Sequence, residues 1–459
     1  MNTLKMKLQS ISNVDMIKGA PIKVIVTFAV PLIIANIFQM LYTTFDAIIV
    51  GKYIGTLALA SVGATTPVVD LLLGLTIGLT NGISIMIAQK IGSANKHEVK
   101  GAMINGFYLI LFVSAAVTIT GLLFSEKLFG LINISSDLMF GAMTYSTILF
   151  IGAIITSIYN YEAAILRAHG NSAVPLMFLI LSAILNILLN LFFVVICHFE
   201  IAGVAIATVI SQFICSILCF IYIKKKLTIL QFEKEDYKIK CKYIKDHLRI
   251  GLPMAFFQSL LAISFLVVQA ALNSLGNQEV AAYSAAYKMD SIMMQTLAGF
   301  GTAISTYTAQ NLGAKNQTRI HQGARSALKL TITLSIIVAV LAQIFNVQFM
   351  QLFVKGSEWE IINLGSQYIR FTSCFYFVLG INFIVRFVLT GLGEVTVPLG
   401  VGVLEVIIRC FGTLYFIYPL GFVGMTYINP LCWVTSTTLI ILAYPYLVKK
   451  AFKTVKDKG

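Results

Sequence analysis

AQKIGSAN at residues 88–95 returns as AQNLGAKN at residues 309–316, 221 positions later. ILRAHGNSAVP at 165–175 is echoed in the same way by VLTGLGEVTVP at 388–398, 223 positions later. Pro31 and Pro253, Gly55 and Gly276, and Gly203 and Gly424 fall at nearly the same offset. A unit of about 220 residues is therefore present twice. The chain around these echoes is apolar: its 459 residues are 58% hydrophobic and only 11% charged, with mean hydropathy +0.87. A water-soluble fold of this length needs more polar surface, so lipid is the solvent for most of the chain.

Apolar runs long enough to cross a bilayer, about 20 residues, fall at 24–50, 57–88, 101–124, 139–165, 174–196 and 202–223. The second copy supplies 248–273, 280–309, 324–345, 361–388, 397–417 and 421–447. The expected fold class is all-α: a polytopic membrane protein with twelve transmembrane helices in two six-helix bundles. Residues 1–223 form the N-terminal bundle, 224–247 a cytoplasmic linker and 248–459 the C-terminal bundle. An even number of spans in each copy makes the repeat parallel, and two stacked copies in lipid suggest a transporter with a central path.

Most of the 33 Lys and Arg lie in the N-terminal tail, in the loops after even-numbered spans, or in the C-terminal tail. Only Lys52, Lys127 and Lys355 fall in loops on the opposite side, which puts both termini in the cytoplasm. The net charge of +14 thus reflects topology and contact with anionic lipid, and nucleic-acid binding does not follow from it. The first span is too long for a signal-peptide core and is expected to be retained. None of the seven cysteines forms a CxxC pair, so neither a disulfide framework nor a metal site is expected. HEVKG at 97–101 begins like a zinc-protease motif but lacks the second His, and no Walker loop is present. An enzyme is not expected, and no cofactor.

Gly74, Gly78 and Gly82 stand four apart in the second span, which puts them on one helix face suited to close helix packing. Charges inside spans carry more information, because each costs several kcal/mol, roughly 2.5–3.5 at the bilayer centre, unless it is paired or hydrated. Glu405 and Arg409 are spaced i, i+4 and are expected to form a structural ion pair. Glu162 and Arg386 lie near span ends, where snorkelling accounts for them. Asp46 is different, since no basic residue stands within a helical turn on its face. A lone buried carboxylate binds a cation or holds a proton, and either event can couple an ion gradient to motion. Asn186 and Asn190 on the fifth span and Thr208 on the sixth lie at comparable depth and could join it, giving oxygen ligands for a hard cation. The second copy has Arg409 at the position of Asn186 and Val268 or Gln269 near that of Asp46, so the cluster belongs to the first half alone.

The second half has its own acid, Asp290, within one residue of the repeat position of Asp70. Tyr287 and Met293 stand near it, with Phe256 and Gln258 on the seventh span. Met, aromatics and acids together suit adaptable binding of lipophilic cations, so Asp290, Tyr287, Met293, Phe256, Gln258 and Asp70 form the expected substrate set in a cleft between the bundles.

QMLYTTFDAIIVGKYIGTLALASVG (39–63), AQKIGSAN with its copy, LRAHGNSAVP followed by Asn186, and GVAIATVISQ (203–212) together resemble the multidrug and toxic compound extrusion (MATE) transporters over nearly the whole chain. The resemblance implies two six-helix bundles that export cationic drugs in exchange for Na+ or H+. It also implies ion-coupling roles for Asp46, Asn186, Asn190 and Thr208. The family pattern usually has Asp at the position of Asn190, which leaves one charge fewer here and favours H+ over a Na+ at Asp46. Another branch carries a Glu where this chain has Leu261, so that branch's site does not transfer.

The expected function is a secondary antiporter in the plasma (inner) membrane, acting as a monomer on small cationic substrates by alternating access. The alternative is a flippase or exporter of a lipid-linked or cell-wall precursor. Such a protein would line its cleft with cations for phosphate, and this chain offers chiefly Arg386 and Arg409.

Overall fold

The computed structural model describes residues 14–132, 134–227 and 232–457. The N-terminal tail up to residue 13 and linker residues 228–231, both part of the expected cytoplasmic face, lie outside it. Among the described residues all regular structure is helical. The helices are α1 (Pro21–Ile49), α2 (Thr56–Gly92), α3 (Lys96–Leu131), α4 (Ser136–Ala168), α5 (Ala173–Leu191) and α6 (Glu200–Lys226). The second copy adds α7 (Cys241–Asn273), α8 (Asn277–Gly313), α9 (Gln317–Gln351), α10 (Trp359–Ser373), α11 (Tyr376–Gly391), α12 (Thr396–Gly412), the single turn α13 (Tyr418–Leu420) and α14 (Phe422–Asp457).

Nine of these helices are long and apolar enough to cross a membrane, and α10 with α11, bent by 52° at a short break, makes a tenth span. α7 and α8 complete the twelve by length, 33 and 37 residues, but are less apolar. The reason in α8 is burial inside the protein: Asp290, Ser305, Thr306, Thr308, Gln310 and Asn311 are buried along it. Polar residues of that kind need protein partners, not lipid.

The duplication is visible in the backbone. Gly55 and Gly276 start α2 and α8 at φ of 124° and 137°. Ala94 and Lys315 both take φ of 56°, and the next residues cap the following helices: the side chain of Asn95 accepts from Glu98 N at 3.2 Å and that of Asn316 from Arg319 N at 3.1 Å. Gly170 and Gly393 end α4 and α11 at φ of 80° and 81°. α5 and α12 both run on into a π-helical turn, at Phe192–Ile196 and Thr413–Ile417.

The chain forms two compact units. The first comprises the segment ending at Met16 together with Ile34–Ser259, and the second comprises Ile17–Ile33 with Leu260–Gly459. Each unit therefore includes the start of a helix that belongs mainly to the other copy of the repeat. In the first unit α4 packs against α2, α3 and α6, and α5 packs against α6. In the second unit α8 packs against α10 and α11, α11 against α9 and α14, and α12 against α14. The glycine face of α2 makes one of these contacts close. A Cβ on Gly78 would lie 2.5 Å from the Ala255 Cα, and one on Gly82 would lie 2.3 Å from the Gly251 Cα, so only glycine lets α2 approach the start of α7 this closely. Gly299, the repeat partner of Gly78, does the same in the second unit, where its Cβ would lie 3.2 Å from the Ile33 Cα.

The described part of the linker is folded onto the first unit. Asn105 of α3 accepts from Lys240 N at 2.8 Å, and Asp236 sits 3.2 Å from His97 Nδ1 and 3.4 Å from Lys100 Nζ.

Candidate functional site

α1, α5 and α6 bring the four residues expected at the ion site into one cluster inside the first unit. Asn186 and Asn190, one turn apart on α5, are fully buried. The Asn190 amide nitrogen donates to Asp46 Oδ1 at 2.6 Å. The Asn186 amide satisfies its neighbours with its oxygen turned towards α6, where it accepts from Thr208 N at 3.2 Å, Thr208 Oγ1 at 3.1 Å and Tyr42 OH at 3.3 Å. Its nitrogen then donates to the same Asp46 Oδ1 at 2.8 Å. Asn190 Oδ1 is buried and has no hydrogen-bond partner among the described residues. No Lys, Arg or His is paired with Asp46 among the described residues. The cluster thus offers a half-buried carboxylate, a buried amide oxygen left to accept and a hydroxyl, which is the donor set that a proton or a small cation takes up.

Tyr42 is the member that sequence reasoning missed. It precedes Asp46 by four residues on α1, so helical spacing alone places both on one face. Tyr145 of α4 lies within electrostatic reach of both Asp46 and Asp70. Asp70 itself is exposed on α2.

The expected substrate residues are not all in one place. Asp70, Phe256 (52% exposed) and the half-buried Gln258 belong to the first unit. Asp290, Tyr287 and Met293 belong to the second. Met293 is packed in an apolar cluster with Leu297, Tyr376 and Trp433. Tyr287 stacks on Tyr283 with ring centroids 5.4 Å apart. Asp290 is buried, and its oxygens are already occupied. Tyr368 OH donates to Oδ2 at 2.7 Å, while Tyr376 OH at 2.7 Å and Thr372 Oγ1 at 3.2 Å donate to Oδ1. Asn429 of α14 in turn donates to Tyr368 OH at 2.9 Å. A substrate could touch this carboxylate only by displacing hydroxyls.

Two expectations about spanning charges are corrected. Glu405 pairs with Arg386 of α11, Nη2 to Oε1 at 2.5 Å, and not with Arg409 of its own helix. Arg409 Nη1 instead donates to Ser264 Oγ on α7 at 3.0 Å. Glu162 does not snorkel: it is 5% exposed and accepts from Ser216 Oγ of α6 at 3.0 Å. Arg386 is likewise engaged within the second unit by its ion pair with Glu405.

A family model described as MatE matches residues 31–192 and 253–413, one match for each copy of the repeat. The chain belongs to the MatE family. Members of this family are membrane transporters, so this MatE chain is a multi-pass membrane protein that moves small molecules and not an enzyme. It is 27% identical to a probable multidrug resistance protein, YpnP, of Bacillus subtilis, over 97% of this chain and 99% of that one. It is 24% identical to an FAD transporter of Shewanella oneidensis, over 79% of this chain and 81% of that one. Its fold matches a solved outward-facing multidrug resistance MATE family transporter with a TM-score of 0.88 at 24% identity, covering 96% of this chain and 98% of the other.

Proposed function

We propose that this MatE transporter exports small lipophilic cations from the cell in exchange for protons, by alternating access, and that Asp46 is the group that takes up and releases the proton. The observation that carries this reading is the Asp46 cluster: a carboxylate without a paired cation, met by two asparagine amides, beside the unpartnered oxygen of Asn190. Multidrug resistance relatives support export of drugs as the task. Asn190 favours a proton over Na+, because a bare monovalent cation finds one carboxylate here and not two. The exposed Asp70, with Phe256 and Gln258 in the same unit, supplies charge and apolar surface for the organic cation. Both termini are taken to face the cytoplasm of a cell whose plasma membrane holds the protein as a monomer.

Efflux of a fluorescent lipophilic cation from vesicles, driven by a proton gradient and then by a Na+ gradient, tests the reading. We expect proton-driven efflux in the wild type and its loss in Asp46→Asn. Efflux that survives in Asp46→Asn at normal expression sinks the coupling role. The relative that carries FAD favours a second reading, export of an anionic cargo. Against it, the spanning cations Arg386 and Arg409 are engaged by Glu405 and Ser264.

A further inference from the structure

Asp290 is the acid that the mechanism above leaves unused, and its neighbours tie it to a break in a helix. The first copy crosses the membrane in one continuous helix, α4, over Ser136–Ala168, but its counterpart is divided at Cys374 and Phe375 into α10 and α11. The break is built in. Where the helix is interrupted, the Arg370 carbonyl accepts from Gln343 Nε2 of α9 at 2.6 Å, and Gln343 also donates to Ser373 Oγ at 2.9 Å. A side chain thus occupies a backbone acceptor that a regular helix would satisfy itself.

The Asp290 carboxylate bridges this break. Tyr368 and Thr372 reach it from the last turns of α10, and Tyr376 reaches it from the first residue of α11. A carboxylate has about four lone-pair positions, and Asn429 adds a fourth donor to the three hydroxyls. A proton therefore enters only if one hydroxyl turns to accept, whereas a metal ion would have to turn several hydroxyl hydrogens away. The titratable groups that face the site are Tyr283 and Tyr287 from α8, Tyr368 from α10 and Tyr376 from α11, and Arg409 of α12 lies within electrostatic reach of Tyr283 and Tyr287. A carboxylate tied by three O–H donors holds both halves of the broken helix through charge-assisted bonds. A neutral carboxyl accepts more weakly and must itself donate, which reverses one of those bonds.

We propose that Asp290 is a proton-binding site of the second unit, and that loading it loosens the tie between α10 and α11 and frees their bend. The site does not depend on Asp46. Two measurements on the whole protein test it. Infrared difference spectra against pH should show a protonated-carboxyl C=O band in the wild type, a component of which is lost in Asp290→Asn and kept in Asp46→Asn. Amide hydrogen exchange across residues 372–380, corrected for the intrinsic effect of pH, should quicken about tenfold when the site is loaded, the weight of one charge-assisted bond. Asp290→Asn should exchange at the fast rate at every pH. Tyr376→Phe, which cuts one tie and leaves the acid, should exchange faster but keep the infrared component. An unchanged band in Asp290→Asn, or exchange across the break that ignores pH in the wild type, overturns the proposal. Loss of transport in Asp46→Asn alone bears only on the reading of the first unit.

Discussion

A double-mutant cycle on Glu405, Arg386 and Arg409 measures which arginine holds the α12 carboxylate. The Glu405–Arg386 pair is 2.5 Å apart with side chains 10% and 14% exposed, so water screens it little. Two unit charges about 4 Å apart attract by roughly 4 kcal/mol at an effective dielectric of about 20. Desolvation of both ions offsets much of that, but removing one partner strands the other and costs about 3–5 kcal/mol. Arg386→Leu is therefore expected to destabilise by about 3–5 kcal/mol, and adding Glu405→Gln should cost little more, giving a coupling energy close to the cost of Glu405→Gln alone, about 3–5 kcal/mol. Arg409 spends a guanidinium N–H on Ser264, so its coupling to Glu405 should be smaller by about 1 kcal/mol or more, since Coulomb attraction falls with distance. Reversible denaturant unfolding in mixed micelles, followed by the fluorescence of Trp433 and Trp359, supplies the free energies. Coupling to Arg409 that equals or exceeds coupling to Arg386 would refute the pairing and restore the local i, i+4 reading.

Gly82→Ala should destabilise by about 1–3 kcal/mol in a thermal-shift assay, because its Cβ would lie 2.3 Å from the Gly251 Cα, while Gly63→Ala, with nothing within 4 Å, should be neutral or stabilising; equal shifts would remove the α2–α7 packing argument. Asn190→Asp should place a second carboxylate oxygen about as close to Asp46 Oδ1 as the present 2.6 Å, so that one must be protonated or share a cation. Transport in that variant should gain a dependence on Na+ or move its pH profile upwards, and an unchanged profile would count against the cluster. At Asp236 in the linker, burial raises the carboxyl pKa, but the Glu233 N–H and Lys100 outweigh it and leave the group below its ordinary value. Its contribution is present above the unfolded carboxylate range, about 3.9, and is lost as pH falls through the lower folded value. Protection of the Lys240 amide against exchange, taken relative to a helix-core amide, should therefore hold at neutral pH and drop only in strong acid.

The repeat was legible because it is written in residues with no substitute: glycines at positive φ beginning α2 and α8, and asparagines capping α3 and α9. The Asp46 cluster was legible for a similar reason, since buried amides at i, i+4 on α5 have few uses other than facing a charge. What the sequence hid were choices made across helices. Glu405 has a basic residue four positions away, and spacing alone cannot show that Arg386 on a neighbouring helix reaches it first. Tyr368, Thr372 and Tyr376 stand at i, i+4 and i+8, a visible polar stripe, yet their target on α8 appears only once the helices are packed. The break between α10 and α11 was hidden as well, because no Pro or Gly marks it and Gln343, thirty residues upstream of Ser373, supplies the missing hydrogen bonds. That break sharpens the meaning of the duplication. α4 is continuous and its unit carries an acid on α1; its counterpart is broken and its unit carries an acid that spans the break. Asp70 and Asp290 do share a repeat position to within one residue, but Asp70 is exposed on α2 while Asp290 is buried among hydroxyls, so even this shared acid has diverged in its surroundings. Asp46 has no acid at its repeat position and a partner set of its own, which argues that the two copies have taken on different roles.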